Sequence, residues 1–328
     1  MLARLHLSNR WNPVDWIVVA YSAATAVLIL ALAPSIPQWI HLVAGRLVLW
    51  AALLLLPPRG SGWERPTKGE SRRVGMPRRL ICFLRYAYPL PLVLLFFEEV
   101  RFTVNALFPA QPYWFEPYLY AADRSLFGQL PAQMLSSWVS APITELMHAL
   151  YFSYYLILIL TLLITWRWRE QAGTAERGGK LLLSSPGPGF EATLTAMTLA
   201  FTVSFIGYPF LPARGPWENP ALMAGLPPMK GFVFTALINS IIERGAVSGG
   251  CFPSSHVAGA WGAVIGLSTT HRRAAWVFGF LATGMSFACV YTRYHHAIDV
   301  LAGLLIGLGA GWWVRRRFRG CAFRCPSR

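Results

Sequence analysis

Apolar residues fill the chain in runs that are long enough to cross a lipid bilayer as helices. The hydrocarbon core of a bilayer is about 30 Å thick, which takes roughly 20 apolar residues of helix to span. The pattern predicts eight spans, the three shortest of them marginal in length. They lie near residues 14–34, 38–57, 79–98, 143–166, 190–211, 256–270, 274–292 and 296–314. We therefore expect an all-α integral membrane protein with about eight transmembrane helices.

Basic residues concentrate in short segments between the apolar runs, at residues 58–79, 167–180, 272–273 and 315–319. Such segments stay in the cytoplasm by the positive-inside rule. Alternation through eight spans then predicts a multi-pass protein, with the plasma membrane as its expected location and both termini in the cytoplasm. The same pattern explains the net charge of +15 without nucleic acid, so no nucleic-acid partner is expected.

A few charged residues fall inside or at the ends of the predicted spans. Arg46 lies within a span, where a charge is costly unless it is paired, and Arg85 is near enough to the cytoplasm for its side chain to reach water. Glu98, Glu99 and Arg101 follow at the outer end of the third span, where they could reach the candidate site and bind an acceptor hydroxyl, although a solvated helix end is the simpler interpretation.

The five cysteines show neither the spacing of a metal site nor a disulfide framework. Cys251 comes close to the candidate site described next. A small apolar packing role is nevertheless the simplest expectation for it.

The strongest chemical signal lies at the mouth of the last apolar run, where Arg293, His295, His296 and Asp299 follow one another. If a helix begins near Tyr294, His295 and Asp299 lie one turn apart on one face. A carboxylate can then hold one imidazole nitrogen and leave the other free to react. His296 does not have this spacing and is predicted to point elsewhere.

Two further polar motifs lie at the same predicted membrane face. Ser254, Ser255 and His256 open the sixth span, where a helix N-terminus offers backbone N–H groups to an anion. Arg214 follows the fifth span and, together with Arg293, adds positive charge for binding a phosphate. All three motifs fall on the extracytoplasmic side of the predicted topology.

These motifs resemble those of the PAP2 superfamily of phosphatidic acid phosphatases and vanadium haloperoxidases, especially its branch of inositolphosphorylceramide-synthase-like membrane proteins. The resemblance covers about residues 80–315. It implies that His256 is the general acid, that His295 attacks phosphorus and that Asp299 orients His295. Where the family's first motif carries a lysine seven residues before its arginine, this chain has Gly207. The family's third motif puts five residues between arginine and histidine, whereas one separates Arg293 from His295.

The resemblance also implies an organisation of the chain. Residues 80–315 would form a six-helix catalytic membrane domain, preceded in residues 1–79 by two helices and a basic cytoplasmic loop. Residues 316–328 would form a basic cytoplasmic tail. The segment from Asp123 to Gly128 also resembles one in the transferase-like branch, and we interpret it as a short re-entrant or interfacial helix with a structural role.

The implied activity is a phosphatase or phosphotransferase that acts on a lipid phosphate through a phosphohistidine, with water or an alcohol or lipid acceptor in the second step. Hydrolysis and transfer both remain open, with a slight preference for transfer, and no cofactor or metal is required. A zinc site of His256, His295 and Asp299 is conceivable from the ligand types, but the flanking serines and arginines favour an anion. The alternative function is a non-catalytic lipid-binding or transport protein whose polar residues line a passage.

Overall fold

The computed structural model describes residues 11–56, 76–110, 114–175 and 187–322. Within these ranges the chain is helical and contains no strand, only one isolated bridge between Ala213 and Gly250. The all-α prediction is thus confirmed for the described residues. Much of the predicted basic loop at 58–79, part of the loop at 167–187 and the end of the basic tail lie outside them.

Thirteen α-helices are present in the described ranges. They are α1 (Pro13–Ala31), α2 (Trp39–Leu55), α3 (Met76–Ala87), α4 (Pro89–Leu107), α5 (Glu116–Phe127), α6 (Pro131–Met134), α7 (Ala141–Ala175), α8 (Pro188–Phe210), α9 (Pro220–Met223), α10 (Val233–Gly245), α11 (Ser255–Leu267), α12 (Arg272–Tyr291) and α13 (Ala297–Ala322). Three short 3₁₀ segments lie among the connections that the structure describes.

Five of these helices are long and apolar enough to cross a membrane, namely α1, α7, α8, α12 and α13. Helices α2 and α11 are apolar but shorter. The predicted span at 79–98 is divided between α3 and α4 at Pro89, which has no N–H to continue the hydrogen-bond ladder of α3. Helix α4 then runs on to Leu107. A multi-pass helical protein is consistent with these observations, and the count of eight spans stays a prediction.

Helix α8 lies at the centre of the bundle, since 17 of its 23 residues are buried. Helix α11 packs against both α8 and α13, while α12 packs against α7. Gly303, Gly307 and Gly311 form a stripe on α13 at four-residue spacing, and this stripe faces α11. A Cβ on Gly307 would lie 2.6 Å from the Ala258 carbonyl oxygen. Glycine therefore lets the two helices approach closely enough to bring their N-terminal ends together.

Two ion pairs join charged residues of the first four helices. Arg46 on α2 binds the Glu99 carboxylate on α4, with nitrogen–oxygen distances of 3.1 and 2.6 Å. Arg85 donates to both carboxylate oxygens of Asp15 on α1, each at 2.8 Å. Charges removed from water need such partners.

Two of the expectations for these charges were wrong. Arg85 does not reach out to water, since it is only 1% exposed and Asp15 neutralises it. Glu99 is not part of a solvated helix end, whereas Glu98 and Arg101 are partly exposed and form a loose pair at 3.6 Å. Sequence spacing could not indicate that Arg46 pairs with Glu99 or that Arg85 pairs with Asp15, because each of these pairs joins helices that are distant in sequence.

Candidate active site

Backbone hydrogen bonds tie the three predicted motif loops together at one end of the bundle. The Cys251 N–H donates to the Ala213 carbonyl at 3.1 Å, which joins the loop after α8 to the loop before α11. The Trp217 N–H donates to the Arg293 carbonyl at 3.0 Å, and the Ser254 N–H donates to the Asp299 carbonyl at 3.2 Å. Motifs that are distant in sequence therefore meet in one place.

His295 and Asp299 form the pair that their spacing predicts, although the helix starts later than expected. Helix α13 begins at Ala297 rather than near Tyr294, so His295 lies just before it and Asp299 lies in its first turn. The Nδ1 atom of His295 is 3.5 Å from Oδ2 of Asp299. The His296 N–H donates to the same Oδ2 at 2.9 Å, which draws the carboxylate back towards the helix start. Asp299 is fully buried, and its Oδ1 has no hydrogen-bond partner.

Cys251 lies beside this pair. Its thiol donates to Asp299 Oδ2 at 2.8 Å and is 3.4 Å from His295 Nδ1. Burial raises the pKa of the Cys251 thiol well above its usual range, and the Asp299 carboxylate adds to this effect. The thiol therefore stays protonated and acts as a hydrogen-bond donor.

His256 lies in the first turn of α11 and faces His295. The two imidazole ring centroids are 5.6 Å apart. The Tyr151 hydroxyl on α7 is 3.1 Å from His256 Nε2, and the Tyr154 ring packs against the imidazole at 4.7 Å. The buried Nδ1 of His256 has no hydrogen-bond partner. These contacts from α7 fix the position of the His256 ring.

His296 is turned away from this pair. Its Nε2 is 3.2 Å from the Arg214 carbonyl and its Nδ1 is 3.6 Å from Asp123 Oδ2. The same Asp123 carboxylate accepts the N–H groups of Ala297 and Ile298, so it caps the start of α13. Burial alone would lower the pKa of His296, but Asp123 and the other nearby acceptors outweigh it and raise the pKa. His296 and Asp123 thus hold the helix start in place.

The two predicted serines have different surroundings. Ser254 is the N-cap of α11, buried, and its hydroxyl oxygen accepts the Val257 N–H at 3.5 Å. Ser255 is the first residue of α11 and borders a cavity of about 230 Å³. His256 and His295 border the same cavity. Cys251, Glu98 and Glu218 add polar groups to its wall, and aromatic rings such as Trp217 complete it.

The two predicted arginines do not border that cavity. Arg214 donates from Nε and Nη2 to the Glu116 carboxylate at 2.9 and 3.2 Å, and these bonds raise the pKa of the Arg214 guanidinium. Burial by itself raises the pKa of Glu116, but hydrogen bonds from Arg214, Tyr120 and Asn219 outweigh it and lower the pKa. Arg293 is 1% exposed, and none of its three guanidinium nitrogens has a hydrogen-bond partner. Burial lowers the pKa of Arg293.

A second, larger cavity of about 420 Å³ is apolar and lies next to the first. It runs between α4, α7 and α8 and is walled by residues such as Leu90, Trp166 and Phe201. Tyr155 borders both cavities. Tyr154 borders the apolar cavity and packs against the His256 ring. The two cavities therefore share Tyr155, and Tyr154 lies between the apolar cavity and the His256 ring.

Sequence reasoning missed two partners in this region. Tyr151 is embedded in an apolar run, and Glu116 lies in a segment rich in aromatic residues, so no local pattern marks either.

The structure also accounts for the absent lysine of the first motif. A Cβ on Gly207 would lie 2.7 Å from Cδ of Pro253, so a larger side chain does not fit there without a shift.

Among the described residues, one group has the ligand types and proximity for a metal ion. It consists of Cys251, His295 and Asp299, whose ligand atoms lie within 4.8 Å of one another. The zinc set considered from the sequence contained His256 in place of Cys251.

The comparisons with known proteins agree with part of the sequence-based assignment. The PAP2 superfamily profile matches residues 232–321, which span α10 to α13 and include both histidines of the pair and Asp299. Searches of curated proteins and of solved structures returned no significant match. PAP2 proteins are generally phosphoric ester hydrolases. A segment that matches the PAP2 profile thus occurs together with several membrane-length helices, which suggests phosphatase or phosphotransferase activity in a membrane-associated protein.

Proposed function

We propose that the protein is a membrane-embedded phosphatase or phosphotransferase that acts on lipid phosphates through a phosphohistidine at His295. One observation carries the proposal. His295 has a carboxylate oxygen of Asp299 3.5 Å behind its Nδ1, and it faces the His256 ring at 5.6 Å across a shared cavity. This arrangement supplies a nucleophile, its orienting group and a proton donor.

The reaction follows from these positions. Asp299 holds the Nδ1–H of His295, which leaves the lone pair on Nε2 free to attack phosphorus. As the N–P bond forms, the P–O bond to the leaving group breaks, and protonated His256 gives its proton to the departing oxygen. Water or an alcohol then loses a proton to His256 and attacks the phosphohistidine. This step releases the phosphoryl group and frees His295.

Phosphate binding is assigned to Ser254, Ser255, Arg214 and Arg293, together with the N-terminal amides of α11. Ser255 borders the cavity, and the first amides of α11 lie beside it. Arg293 supports phosphate binding for another reason. Its buried guanidinium has no hydrogen-bond partner, which is energetically costly, and a phosphate oxygen would supply one. Arg214 shares a loop with Gly215 of the cavity wall, and Glu116 fixes its side chain.

The apolar cavity supports a lipid as the substrate. A phosphate head in the first cavity would lie next to an apolar cavity of about 420 Å³, which has room for part of a hydrocarbon chain, and Tyr155 borders both cavities. Burial of such a chain contributes about 0.8 kcal/mol for each CH₂ group. The acceptor in a transfer reaction would be an alcohol or a second lipid.

The orientation of the site is also part of the proposal. Helix α12 begins at Arg272 and Arg273, and Arg315, Arg316 and Arg317 lie near the end of α13, so these basic residues are at the ends of the helices remote from His295. The positive-inside rule assigns them to the cytoplasm and the site to the extracytoplasmic face, with the chain termini inside.

One observation weighs against a transporter, in which polar residues within the spans would line a passage. Arg46 lies within a predicted span, and its guanidinium is bound by Glu99, by the Ser22 carbonyl and by Thr25. A group that is satisfied in this way stabilises helix packing and offers nothing to a solute.

The test is an assay of the purified protein against a panel of lipid phosphates, with and without alcohol acceptors. We expect phosphate release or transfer that persists in chelator and is inhibited by vanadate, which mimics the trigonal-bipyramidal phosphoryl group. The matched control is the double variant His256→Ala/His295→Ala, which should be inactive. A metal-dependent activity that ignores vanadate would contradict the proposal.

A further inference from the structure

We propose that Cys251, His295 and Asp299 form a binding site for a thiophilic divalent cation, best matched by Zn²⁺, and that binding switches the active site off. The binding site itself stands on the geometry of the three side chains. Only the inhibitory effect rests on the function proposed above.

The three ligand atoms already have nearly the separations that zinc requires. The Cys251 sulfur is 3.4 Å from His295 Nδ1 and 2.8 Å from Asp299 Oδ2, and these last two atoms are 3.5 Å apart. Tetrahedral zinc has bonds of about 2.3 Å to sulfur and about 2.0–2.1 Å to nitrogen or oxygen, which puts neighbouring ligands about 3.3–3.6 Å apart. Loss of the thiol proton would remove the hydrogen bond that keeps sulfur and oxygen at 2.8 Å.

A second observation points to a ligand at this place. Asp299 Oδ1 is buried without a hydrogen-bond partner, while Oδ2 accepts the His296 N–H. Oδ2, which faces Cys251 and His295, would bind the cation and keep the His296 N–H on its second lone pair, and the unpartnered Oδ1 would be free to add a second carboxylate bond to the ion. Cys251 and His295 both border the 230 Å³ cavity, which gives an ion a path and leaves room for water as a fourth ligand.

The ligand set selects the type of cation. A thiolate with an imidazole and one carboxylate suits zinc and similar soft or borderline ions, whereas magnesium and calcium prefer sites made of oxygen atoms. Binding displaces the Cys251 proton to solvent, and the divalent cation then balances the two negative charges of the buried thiolate and the Asp299 carboxylate.

Inhibition follows from the chemistry of the imidazole. A neutral imidazole that binds a metal through Nδ1 carries its proton on Nε2. That nitrogen then has no lone pair with which to attack phosphorus. The cation also takes Asp299 away from its orienting role, so one ion removes both the nucleophile and its partner.

Cobalt is the probe for binding, because thiolate coordination to Co²⁺ gives a charge-transfer absorption in the near ultraviolet. Titration of the purified full chain with Co²⁺ should produce this band, and added Zn²⁺ should remove it. Cys251→Ser should lose the band. Cys289→Ser is the matched control, since Cys289 is also buried and free but lies outside the group, and it should keep the band. A thermal unfolding curve for each variant establishes that it is folded.

The outcomes separate the site from its effect. An absent band in the folded protein, or an equal band in Cys251→Ser, overturns the site. If the band behaves as expected, Zn²⁺ should inhibit phosphate release reversibly, and Cys251→Ser should need at least about tenfold more Zn²⁺ for half inhibition. Activation by Zn²⁺ would overturn the inhibitory role. A normal band in a protein that turns over no lipid phosphate would leave the site intact and count against the proposed function alone.

Discussion

The imidazole rings of His256 and His295 face one another with their centroids 5.6 Å apart, although one ring opens α11 and the other precedes α13. The close packing of these helices through Gly303 and Gly307 makes this approach possible. Only one of the two histidines has a carboxylate at its Nδ1. This difference supports the proposed roles of His295 as the nucleophile and His256 as the proton donor.

Replacement of Asp299 by asparagine should lower kcat by roughly 10²–10⁴-fold, since the amide keeps the shape but no longer stabilises the correct tautomer of His295. Lipid phosphate turnover by the purified variant measures the effect. Asp123→Asn is the control, because Asp123 caps the same helix but contacts His296 rather than His295. It should lower stability more than rate. An equal loss of rate in both variants would indicate that Asp299 acts only by holding the helix start.

The His256→Ala variant should lose activity in a manner that depends on the leaving group. A lipid alkoxide needs a proton to depart, whereas an acidic phenol such as p-nitrophenol does not. Turnover of p-nitrophenyl phosphate should therefore recover part of the loss in His256→Ala and none in His295→Ala. An equal loss for both substrates in His256→Ala would rule out its role as general acid.

Two glycines of α13 should respond differently to replacement by alanine, namely Gly307 in the stripe that faces α11 and Gly309 outside it. Gly307→Ala would put a Cβ 2.6 Å from the Ala258 carbonyl, and overpacking of this kind costs about 1–3 kcal/mol of unfolding free energy. Activity should fall as well, because α13 carries Asp299. The control is Gly309→Ala, which meets nothing within 4 Å and should be neutral or slightly stabilising. Equal behaviour of the two variants in a thermal unfolding and activity assay would contradict the packing account.

Arg46→Met should lower the free energy of unfolding by about 3–5 kcal/mol, because it leaves Glu99 among apolar helices without its partner. The double variant Arg46→Met/Glu99→Gln should recover part of this loss, since the remaining group is neutral. Equilibrium unfolding in mixed micelles gives the double-mutant cycle. Losses that simply add in the double variant would show that the two side chains are not coupled.

The sequence predicted those parts of the structure that depend on local spacing. Apolar run lengths located the long helices, and the four-residue interval between His295 and Asp299 indicated their contact. The interval did not reveal that α13 begins only at Ala297, because the cap on that helix is Asp123 from a distant segment.

Contacts between distant segments account for what could not be predicted. Nothing near Arg214 in the sequence marks Glu116 as its partner, and nothing near Arg85 marks Asp15. Cys251 was expected to be an inert packing residue, yet its thiol lies between the two groups that are proposed to do the chemistry. Pairings of this kind depend on how helices pack, and no periodicity in the chain records them.

The most direct test of the account is to trap the phosphorylated enzyme and locate the phosphate. The protein should be denatured during turnover of a radiolabelled lipid phosphate under alkaline conditions, in which phosphohistidine survives, and the labelled peptide should be mapped by mass spectrometry. We expect an acid-labile phosphate on His295 that is absent in His295→Ala and retained in His296→Gln. A phosphate on His256 or His296, or turnover that continues in His295→Ala, would contradict the assignment of His295 as the nucleophile.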